Sequence, residues 1–189
     1  MGHNHDQHVE GMERRPSKEF WEWGKALGIA IIIAFIIRFF LFAPIVVDGE
    51  SMMPNLHDGE RLIVNKAVYY LSEPERGEIV VFHATEEKDW IKRVIGEPGD
   101  TVEVHNGVLY INGEAYHEFY LDEAAKWATH DFRHIVGEDE IFVMGDNRAN
   151  SRDSRSIGAI PITSVVGRAE FVFWPLSNFR WVETEVEAK

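Results

Sequence analysis

The 189-residue chain carries 19 Lys and Arg against 32 Asp and Glu, a formal net charge of −13, and no cysteine. Without thiols there is neither a disulfide framework nor a thiolate metal site. Residues 1–43 hold five basic and five acidic side chains, so the whole acidic excess lies beyond residue 43; such a domain repels phosphate backbones, which argues against nucleic-acid binding.

Residues 1–20 are polar, with His3, His5 and His8 close together, and read as a disordered tail rather than a metal site. Ala26–Ala43 is an apolar run with a single charge, Arg38. At about 1.5 Å per residue, a helix of this length matches the hydrocarbon thickness of a bilayer. Trp21 and Trp23 stand where an interfacial aromatic belt belongs. Arg14, Arg15, Lys18 and Lys25 precede the run, and Asp48, Glu50, Asp58 and Glu60 follow it. The reading is a single-pass anchor in the cell membrane over residues 21–43, with residues 1–20 cytoplasmic and residues 44–189 an extracytoplasmic domain. A cleavable signal peptide would need an A-x-A exit, where the chain has Leu41-Phe42-Ala43 before Pro44. A buried core helix fits poorly with a run this long and apolar all round. Pro44 is expected to end the helix. Ser51 follows within eight residues, at most about 28 Å of extended chain, so any substrate is met at the membrane.

Beyond the apolar run the pattern is strand-like. Arg61–Lys66, Ile79–His83, Trp90–Ile95, Thr101–Val104, Val108–Ile111, Ile141–Met144, Val165–Val172 and Phe179–Val182 read as short strands. Asn106-Gly107 is a strong hairpin signal, and a second Asn-Gly follows at Asn112-Gly113. Leu121–Ala128 is expected to form one or two helical turns. With almost no helical pattern, the domain is predicted to be all-β, built of coiled sheets.

The stretch most charged with chemistry is Val47-Asp48-Gly49-Glu50-Ser51-Met52-Met53-Pro54. Gly49 permits close backbone approach, and Pro54 biases Met53 toward extended chain. A serine presented there is a nucleophile only with a base beside it. His57 lies in a turn composition, and His83, His105, His117, His130 and His134 have no distinctive neighbours. A Ser-His-Asp arrangement is a matter of geometry and stays open at this point. Lys92 is the stronger candidate. Strand alternation puts it on one face between Trp90 and Val94, where burial would lower its pKa. A lysine lying beside an aromatic ring gives the same pattern. The polar run from Gly145 to Arg155 is dense in donors and acceptors suited to orienting a catalytic amine.

Taken together, Gly49–Pro54, Arg61–Lys66, Arg76–Phe82, Ile91–Asp100 and Gly145–Arg155 make the chain closely resemble the bacterial type I signal peptidases, membrane-bound Ser-Lys proteases. It is similar to the short form with one anchor and a small accessory region, here about residues 102–140. The resemblance implies a mainly antiparallel coiled-sheet fold shared with SOS-repressor proteases, and no metal or cofactor. It implies Ser51 as nucleophile and Lys92 as general base, with Ser151 hydrogen-bonded to the lysine. It implies supporting ion pairs Arg93–Asp146 and Asp153–Arg155. The Ser51 backbone N–H would form part of the oxyanion hole; Gly49 stands where some relatives carry a Ser donor. Ile45, Val47, Met52, Leu56 and Ile91 would line pockets for small side chains. The implied substrates are signal peptides of exported preproteins, cut after A-x-A-type sites, and the implied partners are the bilayer and the export translocon. Rival readings are another Ser-Lys peptidase of related fold and a catalytically dead, membrane-tethered β-domain. Intact Ser51, Lys92 and Ser151 argue against the second.

Overall fold

The computed structural model describes residues 16–182. The His3–His5–His8 group and most of the polar tail lie outside the described residues. The chain divides into two units, one ending at Ile37 and the other beginning at Arg38.

The first unit is helical. α1 spans Pro16–Ile36 and is followed by a π-helical turn, Ile37–Leu41. This differs from the predicted single helix over residues 21–43. The α-helix starts five residues earlier and stops at Ile36. Phe42 and Ala43, the end of the apolar run, belong to β1 (Phe42–Val46). Pro44 therefore sits inside an edge strand, a position that tolerates its missing N–H, and does not end the helix. Because α1 opens with charged residues and closes part-way along the apolar run, no helix among the described residues is long and apolar enough to cross a membrane. Its apolar side chains are nonetheless open to the surroundings, with Leu27 63% and Ile31 61% exposed.

The second unit is β-rich, and every strand pairing in it is antiparallel. In chain order the strands after β1 are β2 (Arg61–Asn65), β3 (Ile79–His83), β4 (Asp89–Gly96), β5 (Thr101–His105), β6 (Val108–Ile111), β7 (Glu114–Tyr116), β8 (Phe132–Ile135), β9 (Glu140–Met144), β10 (Ile160–Pro161), β11 (Val165–Trp174) and β12 (Arg180–Trp181). The large sheet runs β1-β2-β11-β3-β4-β9-β10, with β12 on β11. A smaller sheet, β7-β6-β5-β8, is inserted between β4 and β9. Two short helices complete the unit: α2 (Glu123–Trp127), capped by the Asp122 carboxylate on the Ala125 N–H, and α3 (Ser154–Ile157).

Both Asn-Gly pairs make tight hairpins. Asn106 and Gly107 have φ of 50° and 77°, and Asn112 and Gly113 have 53° and 85°. Two successive positive φ values match the twist of the flanking strands, and Asn and Gly adopt them most readily. The second pair joins β6 to β7, a strand too short for alternation to reveal.

Three apolar clusters fill the domain. One, under β1, β2 and β11, includes Val47, Met52, Leu56, Leu62, Val64 and Ile91. The second joins the small sheet to β4 and β9 through Ile95, Val102, Leu109 and Phe142. The third centres on Val80, Phe82, Val94 and Val143. β4 is buried on both faces from Ile91 to Gly96, which holds the strand fixed along its length. At Gly167, where β11 bulges against β3, the backbone closes on β2. A methyl group there would stand 2.5 Å from the Asn65 carbonyl oxygen. Gly167→Ala is expected to cost about 1–3 kcal/mol, read as a lower urea midpoint at unchanged slope. An unchanged midpoint would contradict this close approach.

Candidate active site

Ser51 opens a tight turn rather than lying on extended chain. The Met53 N–H donates to the Glu50 carbonyl (3.1 Å), and the Leu56 N–H donates to that of Met52 (2.9 Å). The reason lies in the spacing: Met52 and Leu56, four apart, are both buried in the first cluster, and a helical turn puts both side chains on one face. Gly49 enters the turn at φ +93°, a left-handed value suited to glycine. Its N–H donates to Asp58 Oδ1 at 2.8 Å. Gly49 is therefore not a free oxyanion donor in this conformation. The Ser51 N–H, by contrast, donates to no acceptor among the described residues.

Lys92 lies on β4, opposite Val80 of β3, and is 4% exposed. Its Nζ is 2.7 Å from Ser51 Oγ and also donates to the Ile91 carbonyl at 2.8 Å. The Trp90 ring lies beside the amine, 5.7 Å from Nζ to the ring centre. Burial pulls the Lys92 pKa down to about 8, although the Asp153 and Asp146 carboxylates act to raise it. No histidine among the described residues hydrogen-bonds Ser51: His57 pairs with Glu60, His83 with Asp89 and His105 with Asp131.

The third element is the loop after β9. A methyl group on Gly145 would stand 2.5 Å from the Ser51 carbonyl and 2.2 Å from Ser151 Oγ, so only glycine lets the two segments close. Asn147 then donates twice to the serine turn, from N to the Ser51 carbonyl (3.0 Å) and from Nδ2 to that of Glu50 (3.1 Å). Asp146 is fully buried and bidentate with Arg93, Nε to Oδ1 and Nη2 to Oδ2, both at 2.9 Å. Arg93 also donates to the Gly77 carbonyl and lies over the Tyr120 ring. Asp153 accepts from Arg155 Nε and Nη2 (both 2.8 Å) and from the Gly145 N–H (2.9 Å). Burial pushes the Asp153 carboxyl up, but Arg155 and the Gly145 N–H outweigh it and hold the group below its ordinary range.

Ser151 is the point of difference. Its Oγ is buried behind Gly145 and has no hydrogen-bond partner of proper distance and angle among the described residues, though its dipole acts on the nearby Asp153 carboxylate. The implied bond from Ser151 to Lys92 is not formed, because the Lys92 amine is turned to Ser51 and the Ile91 carbonyl. Of the pocket candidates, Val47, Met52, Leu56 and Ile91 share one apolar cluster with Ile45 packed against it. Met52 (0% exposed) and Leu56 (1%) serve as core beneath the serine, which leaves Ile45 and Ile91 nearer the surface.

Several site contacts carry no sequence signal. Asn55 donates to Asp146 Oδ2 (2.8 Å) and the Tyr120 carbonyl (3.1 Å), tying the serine turn to the buried ion pair. Arg148 forms a second buried pair with Glu118 of the β7–α2 connection. Partners 30 or more residues apart in chain leave no local pattern; only the buried charges themselves invite a search for them.

The chain matches the family model described as signal peptidase, peptidase S26, over residues 20–174. It is 49% identical over 177 residues to a signal peptidase I of Bacillus amyloliquefaciens, covering 88% of this chain and 92% of that one. The chain belongs to the bacterial type I signal peptidases of family S26. A signal peptidase I T of Bacillus subtilis is 43% identical over 190 residues, covering 95% and 98% of the two chains. A solved signal peptidase I from Enterococcus faecalis V583 is 36% identical and covers 51% of this chain and 97% of its own, with a TM-score of 0.48.

The lowered Lys92 pKa makes a stability prediction. The folded value, about 8, lies below the ordinary 10.5, so burying the ammonium costs stability in full below about pH 8, and the cost fades as pH rises toward 10.5. Lys92→Met is expected to unfold at higher urea than the wild type at pH 7, by up to about 3 kcal/mol. The gain should shrink toward zero near pH 10. A gain independent of pH would contradict the shift.

Proposed function

We propose that the protein is a membrane-attached serine endopeptidase that removes signal peptides from exported preproteins, using Ser51 and Lys92 as a catalytic dyad. The observation that carries the proposal is the 2.7 Å contact between Ser51 Oγ and a buried lysine amine of lowered pKa. At a pKa of about 8, roughly one Lys92 in ten is neutral at pH 7, against about one in three thousand for a free lysine.

Neutral Lys92 Nζ accepts the Ser51 proton as Oγ attacks the scissile carbonyl. The oxyanion so formed is stabilised by the unoccupied Ser51 N–H. As the tetrahedral intermediate collapses, the Lys92 ammonium returns its proton to the leaving amine, and the signal peptide stays on Ser51 as an ester. Lys92, neutral again, then accepts a proton from water, which attacks the ester. On collapse the Lys92 ammonium gives that proton to the leaving Ser51 Oγ, which restores the hydroxyl and the neutral amine, and the released acid loses its own proton to solvent. The Arg93–Asp146 and Asp153–Arg155 pairs hold the two strands and the loop that present the dyad. Ser151 acts through this loop.

The substrate is proposed to bind as an added strand along β1, which among the described residues pairs with β2 alone and leaves its other edge open. Ile45 and Ile91, above the Met52–Leu56 floor, restrict the first and third residues before the cut to small side chains, in keeping with an A-x-A-type site. Attachment to the membrane, beside the export apparatus, is supported by the exposed apolar surface of α1. A second apolar face supports it too. Phe42, Val46, Trp174, Phe179 and Trp181 are all exposed, and the pairings of β1, β2, β11 and β12 bring their strands together. The basic residues Arg14, Arg15, Lys18 and Lys25 on the N-terminal side of the apolar run support a cytoplasmic N-terminus with the peptidase domain outside.

Detergent-purified wild type is expected to cleave a preprotein after its A-x-A site, while Ser51→Ala and Lys92→Arg, both folded, do not; an arginine stays protonated and offers no base. Cleavage by either variant would overturn the dyad. The log of kcat/KM for the wild type should rise with unit slope to an apparent pKa of about 8 and then level off. A profile flat from pH 6 to 9 would rule out a titrating lysine base.

A further inference from the structure

The back of the serine turn is held by a residue from the far end of the chain. Arg180, on β12, donates from Nη2 to the Asn55 carbonyl at 2.6 Å. The same guanidinium grips Glu60 through both nitrogens, Nη1 to Oε1 and Nη2 to Oε2, each at 2.7 Å. Glu60 is 1% exposed, takes a third bond from Asn178 Nδ2 (3.0 Å), and accepts the His57 N–H at 3.0 Å. The Ser51 turn is thereby clasped at two points: Asn55, four residues after the nucleophile, and His57, just past the turn. From Asn55 the connection continues through its side chain to Asp146 and Arg93, the neighbour of Lys92. Arg180 lies beyond residue 174, where the match to the family model ends.

We propose that Arg180 is a positioning residue for the nucleophile, holding the Ser51 turn against the Lys92 strand through the Asn55 carbonyl and Glu60. Asn55 can reach Asp146 only while its backbone is kept in place. Its carbonyl lies at the open end of a turn only a few residues long, where no further helical residue supplies an N–H. The fork of the guanidinium meets the carbonyl and the carboxylate together, which an ammonium point charge does not do. Loss of Arg180 frees the turn to move relative to Lys92 Nζ, and a displacement of about 1 Å between reacting groups slows chemistry by as much as about a hundredfold.

The inference rests on the proposed role of Ser51, and its test separates the two. Arg180→Met alone leaves the Glu60 carboxylate buried without its cation, a destabilising change in its own right. The paired variant Glu60→Gln, Arg180→Met removes that charge and keeps an acceptor for the His57 N–H. In cleavage of a preprotein by the detergent-purified full chain, both variants are expected to lose about tenfold or more in kcat, with KM changed less than about twofold. The paired variant should regain most of the urea stability lost by the single one. Hydrogen exchange of the peptide covering residues 51–57 should be faster in both. A purely structural role predicts that activity and slow exchange return with stability in the paired variant, and that result overturns the proposal. Failure of the wild type to cleave would count against Ser51 as nucleophile. The exchange measurement would still decide whether Arg180 holds the turn, and unchanged exchange in both variants would refute that.

Discussion

The structure depends on one contact that the protein's stability alone would not favour: a lysine amine taken out of water and set against a serine hydroxyl. An ammonium in this position gives up its hydration and meets only one hydroxyl, one carbonyl and the side of an indole ring. Burial alone would lower its pKa further, but two carboxylates, Asp153 and Asp146, pull the other way. The outcome is an amine whose pKa lies near 8, held within hydrogen-bond reach of the serine hydroxyl. The fold tolerates the cost because β4 is buried along both faces and cannot yield to let the amine out.

Around this amine, buried charge is used for placement. Asp146 and Asp153 each hold an arginine beside them, so their negative charge is largely spent locally, and what reaches Lys92 is a residual field. The same carboxylates fix backbone. Asp153 takes the Gly145 N–H at the point where glycine lets the loop touch the Ser51 carbonyl, and Asp146 takes the Asn55 amide from the turn after the nucleophile. A buried ion pair is weak evidence of stability in general. Here the pairs link elements distant in sequence, Arg93 with Asp146 and Arg148 with Glu118, and their geometry sets where the Ser51 turn and Lys92 stand.

Much of this was legible in the sequence. The alternating and apolar runs mark β2, β3, β6 and most of β4, β5, β9 and β11, and the first Asn-Gly marks a hairpin. Ser51, Lys92 and the Gly145–Arg155 loop stand out in the sequence through their chemistry, and the resemblance to type I signal peptidases joins them. What escaped has physical causes. β1 was hidden because its residues are as apolar as the helix before it, so the run had no visible border at Phe42. β7 and β10 are too short for periodicity. Pro54 favours extended chain at Met53, but the burial of Met52 and Leu56 at helical spacing outweighs it and makes the Ser51 segment a turn. Asn55, Glu118 and Arg180 carry no signal, and Arg148, inside the marked Gly145–Arg155 run, gives no hint of its partner Glu118, since these contacts join residues far apart in chain.

The most direct test of the central claim is a titration of Lys92 itself. Full-length protein carrying lysine labelled with carbon-13 at Cε, in detergent micelles, gives one resonance for each lysine, and loss of a peak in Lys92→Arg assigns the one in question. A midpoint near 8 is expected for that peak. A midpoint near the ordinary 10.5 would mean that the amine is charged throughout the working range, and that Lys92 is not the base.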